Sequence, residues 1–218
     1  MLILEWVKTT LLDFLFPKDW RTLELESFST IKLLEILPES DNLKDQNVLA
    51  LFDYKNPLVR DLVWQIKYGG NKVLAEKLGG ILYDVIVSEL EERRMYQERP
   101  ALLVPMPISD KRRLERGWNQ CELLGEVVKS FDTGNIFEYL PNELVKIRHT
   151  ESQTSTGSRK ERLENLHQSM RVLNPLSLKD RYVVLIDDVT TTGATFKEAE
   201  RALKEAGEKK ILCVALAH

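Results

Sequence analysis

The segment Arg181 to Phe196, RYVVLIDDVTTTGATF, constrains this chain more than any other. Tyr182 to Ile186 is apolar and β-branched enough to be a buried strand. Thr195 to Ala206 has the spacing of an amphipathic helix ended by Gly207, and Ile211 to Leu216 is a second apolar run. Strand, helix and strand in that order form a βαβ unit, which requires a parallel sheet covered on both faces. The expected class is α/β.

Between strand and helix stand two adjacent acids, Asp187 and Asp188, and then the loop TTTGAT. Ligands of open α/β sheets bind beyond the carboxyl ends of strands. Backbone N–H groups and threonine hydroxyls at the positive end of a helix dipole suit a phosphate dianion. Gly193 supplies the backbone freedom such a turn needs. The carboxylates would repel phosphate, so sugar hydroxyls or hydrated Mg²⁺ are their natural partners. Together the parts describe a site for a phosphorylated sugar. The plainer alternative is an Asp cap followed by turn threonines. It suits a lone acid better than an acidic pair set between a five-residue apolar strand and a Thr/Gly loop. Neither GxxxxGK[ST] nor GxGxxG occurs, which disfavours a P-loop or a Rossmann dinucleotide site.

The rest of the chain fits a globular α/β protein. Its 218 residues are 43% hydrophobic and 30% charged, and the net charge of −3 gives no global pull toward nucleic acid or anionic membrane. Any anion site must be local. The two cysteines, Cys121 and Cys213, are too few for a disulfide framework, so a reducing, cytoplasmic setting is expected. Glu5, Lys8 and Asp13 interrupt the apolar N-terminus, which reads as a short packing helix through Leu4, Val7, Leu11 and Leu15 rather than a signal peptide. No run approaches the roughly 18 apolar residues of a membrane span, and no membrane insertion is expected.

From Pro17 to Gln46 the pattern supports one short helix, Ile31 to Leu37, between irregular pieces. A strand is expected from Val48, a helix from Pro57 to the Gly69-Gly70 pair, and a helix from Lys72 to Arg94. Ala101 to Val104 reads as a strand closed by Pro105, Asn119 to Ser130 as a helix, and Leu144 to Ile147 as a strand after a loop. Arg148 to Arg162 reads as a long mobile loop. Trp118 is a better core residue than stacking platform, and His149, His167 and His218 have no metal spacing.

VVLIDDVTTTGAT resembles the phosphoribosyl pyrophosphate (PRPP) signature of type I phosphoribosyltransferases. LVPMPISDKRRLERGWNQCELL, RHTESQTSTGSRKERLENL and the surroundings of Lys67, Tyr68 and Gly70 are similar to segments of the ComF-type competence proteins. The resemblance covers about Leu51 to His218. It implies a type I phosphoribosyltransferase-like parallel sheet flanked by helices over 48–218, with a small helical or irregular cap over 1–47.

It also implies roles. Asp187 and Asp188 would bind the ribose hydroxyls and hold Mg²⁺ directly or through water, and Thr191, Thr192, Gly193, Ala194 and Thr195 would hold the 5-phosphate. The loop Pro105, Met106 and Pro107 would contact pyrophosphate, with Arg112, Arg113 and Arg116 neutralising it. Arg148, Thr150, Gln153, Arg159 and Arg162 fall in the flexible hood that closes over PRPP, and Lys67 is a further ligand candidate. The implied reaction transfers phosphoribose to a nitrogenous acceptor and releases pyrophosphate, in DNA uptake or a related nucleotide role. Two other readings stay open: a non-catalytic PRPP or nucleotide sensor of the competence machinery, and a single-stranded-DNA binder using Lys111 to Arg116 and Trp118. A competence-machinery protein and a second copy of the chain are further partners consistent with the resemblance. One departure stands out: ComF-type chains commonly carry a four-cysteine zinc module near the N-terminus, but Lys18 to Asn47 has no cysteine. Zinc is not expected.

Overall fold

The computed structural model describes residues 20–41, 48–93, 99–147, 168–208 and 210–218. The expected N-terminal packing helix and the hood residues Arg148, Thr150, Gln153, Arg159 and Arg162 lie outside them.

Five parallel strands form the central sheet: β1 (Val48–Phe52), β2 (Ala101–Pro105), β3 (Phe137–Tyr139), β6 (Val183–Val189) and β7 (Ile211–Ala217), in the order β1-β7-β6-β2-β3. β6 is central because its VVLI run is apolar on both faces, as a strand between two helical layers must be. Val184 and Ile186 point into a core shared with α3 (Pro57–Gly69), α4 (Lys72–Glu92) and α6 (Gln120–Phe131). Val183 and Leu185 point the other way, toward α8 (Ala194–Glu205). A separate antiparallel pair, β4 (Leu144–Lys146) and β5 (Met170–Val172), lies against α8. Short helices α5 (Asp110–Arg116) and α7 (Pro175–Leu178) complete that part of the chain.

Two helices occupy the segment expected to hold one: α1 (Trp20–Ser27) precedes α2 (Thr30–Ile36). The first was missed because it buries only Thr22 and Leu25, too narrow a stripe to register as amphipathic. Leu25, Leu33 and Leu37 join the same core as the sheet. β3 was read as loop and β5 was given no element; at three residues each they are too short to show an alternation. Pro105 is the last residue of β2 rather than the first beyond it. As a terminal strand residue it gives up no N–H the ladder needs, and Met106 N–H continues the pairing to the Ile186 carbonyl at 2.8 Å. Among the described residues no helix is long and apolar enough to cross a membrane.

Candidate functional site

The parallel sheet presents the carboxyl ends of β2 and β6 side by side, with Pro105 paired to Ile186. Asp187 and Asp188 follow immediately, and strand alternation sends them to opposite faces. Both are buried, at 7% and 5% exposure, where a carboxylate requires a partner.

Asp187 Oδ1, on the face of Val183 and Leu185, accepts from the thiol of Cys121, at the start of α6, at 3.3 Å and from the Asp188 amide at 2.9 Å. Burial, and then the neighbouring Asp188 charge, push the Asp187 carboxyl well above the usual carboxylate range. Cys121 is fully enclosed, and burial pushes its thiol far up, so it is a neutral donor and not a nucleophile. On the α3 side Lys67 Nζ lies 2.8 Å from Asp188 Oδ2. Burial works to raise the Asp188 carboxyl, but Lys67 outweighs it and holds the acid ionised, below its ordinary range. The same pairing overcomes burial at Lys67 and lifts its pKa. Asp188 Oδ2 therefore has its counter-charge in Lys67.

Lys67 reaches the pair because α3 stops at Gly70, which adopts φ +57 and lies against the Trp118 ring, 3.2 Å from where a Cβ would sit. Trp118 also donates to the Ile66 carbonyl at 3.3 Å. It is a half-buried strut of the site and belongs to neither hydrophobic core cluster, where core packing was expected.

After β6, Thr190 N–H bonds the Ala217 carbonyl and the His218 ring nitrogen Nε2 lies 3.0 Å from the Thr191 carbonyl. Thr191 and Thr192 are exposed. Gly193 adopts φ +69 at the start of α8, and no side chain caps that helix. A residue with a Cβ would be strained there. The leading N–H groups of α8 therefore have no side-chain cap beside the two acids.

The basic run divides. Arg112 and Arg116 turn toward the acids: Arg116 lies over the Tyr68 ring at 5.0 Å, and Arg112 feels both Tyr68 and Asp188. Arg113 turns away and forks onto Glu122, with Nη1 3.0 Å from Oε2 and Nη2 on Oε1. In this arrangement Arg113, expected to neutralise pyrophosphate, is directed to Glu122 and away from the two acids. Met106 is likewise only a backbone participant: its side chain is core, and its carbonyl accepts from Asn119 Nδ2. The sequence reading passed over Cys121, His218 and Lys146. Lys146 ends a three-residue strand, too short for alternation to have signalled it from the sequence.

The Cys121 sulfur and the Asp187 and Asp188 oxygens lie within 4.8 Å of one another. For the Mg²⁺ that a phosphoribosyltransferase fold implies, the two carboxylates fit and the thiol does not, because Mg²⁺ takes oxygen ligands.

Residues 123–218 match the phosphoribosyl transferase domain family, which defines the class of the fold. Competence protein F of Haemophilus influenzae is 29% identical over 72% of this chain and 66% of its own length. Competence protein ComFC of Streptococcus pneumoniae is 30% identical over 77% of this chain and 66% of its own length. DNA utilization protein YhgH of Escherichia coli is 28% identical over 74% of this chain and 67% of its own length. A solved structure described as the allosteric regulatory enzyme of purine biosynthesis covers 70% of this chain and 30% of that one, at 15% identity and a TM-score of 0.39. The chain spans about two thirds, 66%, of the first relatives it matches. It belongs to the ComF-type competence protein family, with a type I phosphoribosyltransferase-like fold.

Proposed function

We propose that this chain binds PRPP with Mg²⁺ and transfers its phosphoribose to a nitrogenous acceptor, in the cytoplasm and in support of DNA uptake. The observation that carries the reading is the placement of Asp187 and Asp188 at the end of the central strand, immediately before a helix whose first residues follow the left-handed Gly193. A sugar held by its hydroxyls on the acids places its 5-phosphate at the α8 amides.

In the reaction the acceptor nitrogen forms a bond to the anomeric carbon, the bond from that carbon to the diphosphate oxygen breaks, pyrophosphate leaves with the electron pair, and the acceptor loses a proton. Asp187 and Asp188 supply oxygens for Mg²⁺, which when bound neutralises diphosphate charge. The ionised Asp188 favours positive charge developing on the sugar. Arg112 and Arg116 attract the leaving group. Lys67 holds Asp188 in place until ligand arrives. The DNA-uptake setting rests on the names of the relatives, and two free, buried cysteines accord with the cytoplasm.

Titration calorimetry with PRPP in the presence of Mg²⁺ tests binding, and a pyrophosphate-release screen over heterocyclic bases tests transfer. Micromolar PRPP binding that weakens with EDTA, followed by release with one base class, is expected. No PRPP binding overturns the reading. Binding without release across the screen replaces the enzyme with a PRPP sensor. Salt-sensitive single-strand binding lost in Arg112→Ala would support the nucleic-acid alternative.

A further inference from the structure

His218 follows β7 directly, and its main chain is held at both polar groups. Its N–H bonds the Phe52 carbonyl at 3.0 Å, and its own carbonyl accepts from the Tyr54 N–H at 2.8 Å. Both partners lie where β1 ends, so the His218 backbone is fixed to the neighbouring strand. Only two side-chain torsions remain to place the ring. They bring Nε2 to 3.0 Å from the Thr191 carbonyl, in the loop between β6 and α8. A carbonyl oxygen accepts and never donates, so Nε2 carries the proton in this contact.

The peptide joining Thr191 to Thr192 is planar and trans, so its C=O and N–H point in opposite directions. A carbonyl drawn toward His218 therefore turns the Thr192 N–H away from the β7 side of the loop. Closer to β6, the Thr190 N–H bonds the Ala217 carbonyl at 2.9 Å. The end of β7 thus grips two peptide units of this loop, one by its N–H and the other by its carbonyl. Were the second peptide to turn over, its oxygen would take the place of the Thr192 N–H, and an anion there would meet partial negative charge instead of a donor.

We propose that His218 is a positioning residue of the loop that receives the 5-phosphate: its Nε2–H holds the Thr191 carbonyl and so keeps the Thr192 amide turned toward the anion. This rests on the PRPP reading above, and His218 acts through the loop backbone rather than by touching ligand. The property that matters is the donor at Nε2. Glutamine carries an amide N–H at a similar reach from the backbone, asparagine carries one that stops a carbon short, and phenylalanine keeps the ring without a donor.

The test is calorimetry on the full chain with Mg²⁺, using PRPP and ribose 5-phosphate on the wild type, His218→Phe, His218→Asn and His218→Gln, with the melting temperature of each. His218→Phe and His218→Asn are expected to weaken both ligands about fivefold, the size of one lost neutral hydrogen bond, while His218→Gln stays within about twofold of the wild type. If His218→Phe does not fold, the Asn and Gln variants alone carry the comparison. A loss in His218→Gln equal to that in His218→Asn overturns the assignment, because the ring and not the donor then matters. Unchanged affinity in His218→Phe or His218→Asn, whatever the melting temperature does, also overturns it. Both outcomes leave the PRPP reading intact. A wild type that binds neither ligand sinks that reading and this assignment with it.

Discussion

The two ends of one sheet treat charge in opposite ways. At the amino ends of its strands, Arg181 precedes β6 and gives its guanidinium to Glu138 and the Pro100 carbonyl. Asp132, just before β3, accepts from Ile136 N–H at 2.8 Å, Phe137 N–H at 2.9 Å and Lys129 Nζ at 2.8 Å. At the carboxyl ends two buried carboxyls adjoin, one of them held neutral by burial and by the other's charge. The first end is saturated and the second is frustrated. Frustration that a fold sustains at one place marks where binding energy is to be recovered from a ligand.

The largest expected effect tests that division directly. Asp187→Asn with Asp188→Asn should lower PRPP affinity by at least about 100-fold, about 2.7 kcal/mol, while the melting temperature moves only a few degrees. A collapsed melting temperature with unchanged affinity would make the pair scaffold and erase the contrast. Asp132→Ala should do the reverse, costing about 2–3 kcal/mol in urea unfolding because three donors lose one charged acceptor, with PRPP affinity within about twofold of wild type. Burial works to raise the Asp132 carboxyl, but Lys129 and the two amides outweigh it and hold its pKa below the ordinary value. Its stabilisation is therefore present at neutral pH and lost as pH falls through that lowered value.

The saturated end and the frustrated end were unequally legible. Asp187, Asp188 and Gly193 could be placed because they are neighbours inside one βαβ unit whose periodicity fixes the strand end. Lys67 was only a candidate, since its contact with Asp188 depends on how α3 packs, a tertiary fact with no local signature. Arg112 and Arg113 are adjacent in sequence, yet about 100° of helical rotation separates them, and Glu122 on α6 determines which one is occupied. Lys146 sits in a three-residue strand, too short for a pattern to point inward from sequence alone. The parallel sheet and its covered faces followed from apolar runs, whereas the strand order, α1 and the two short strands β3 and β5 did not.

A smaller effect follows from the Lys146 amine, lowered to about 8 by burial and by Arg112, with Asp187 and Glu198 pulling the other way. The unfolded lysine keeps its proton to about pH 10.4 and so binds more protons than the folded one, which makes this group's contribution to stability rise with pH above about pH 8. Lys146→Met should flatten that rise in urea unfolding, and an unchanged slope would show that the fold does not strain the amine.

The smallest effect sharpens the boundary between the two kinds of charge. Arg112→Ala removes a cation without a carboxylate partner among the described residues and should weaken pyrophosphate binding about tenfold, within the range of one charge-assisted contact. Arg113→Ala, one residue on, breaks the fork to Glu122 at the surface and should change ligand affinity less than about twofold and stability by at most about 1 kcal/mol. Both substitutions remove one positive charge from the same helix, so a long-range field would weaken binding equally in the two. A clear difference requires direct contact, and calorimetry at two salt concentrations separates the cases because screening diminishes only the field.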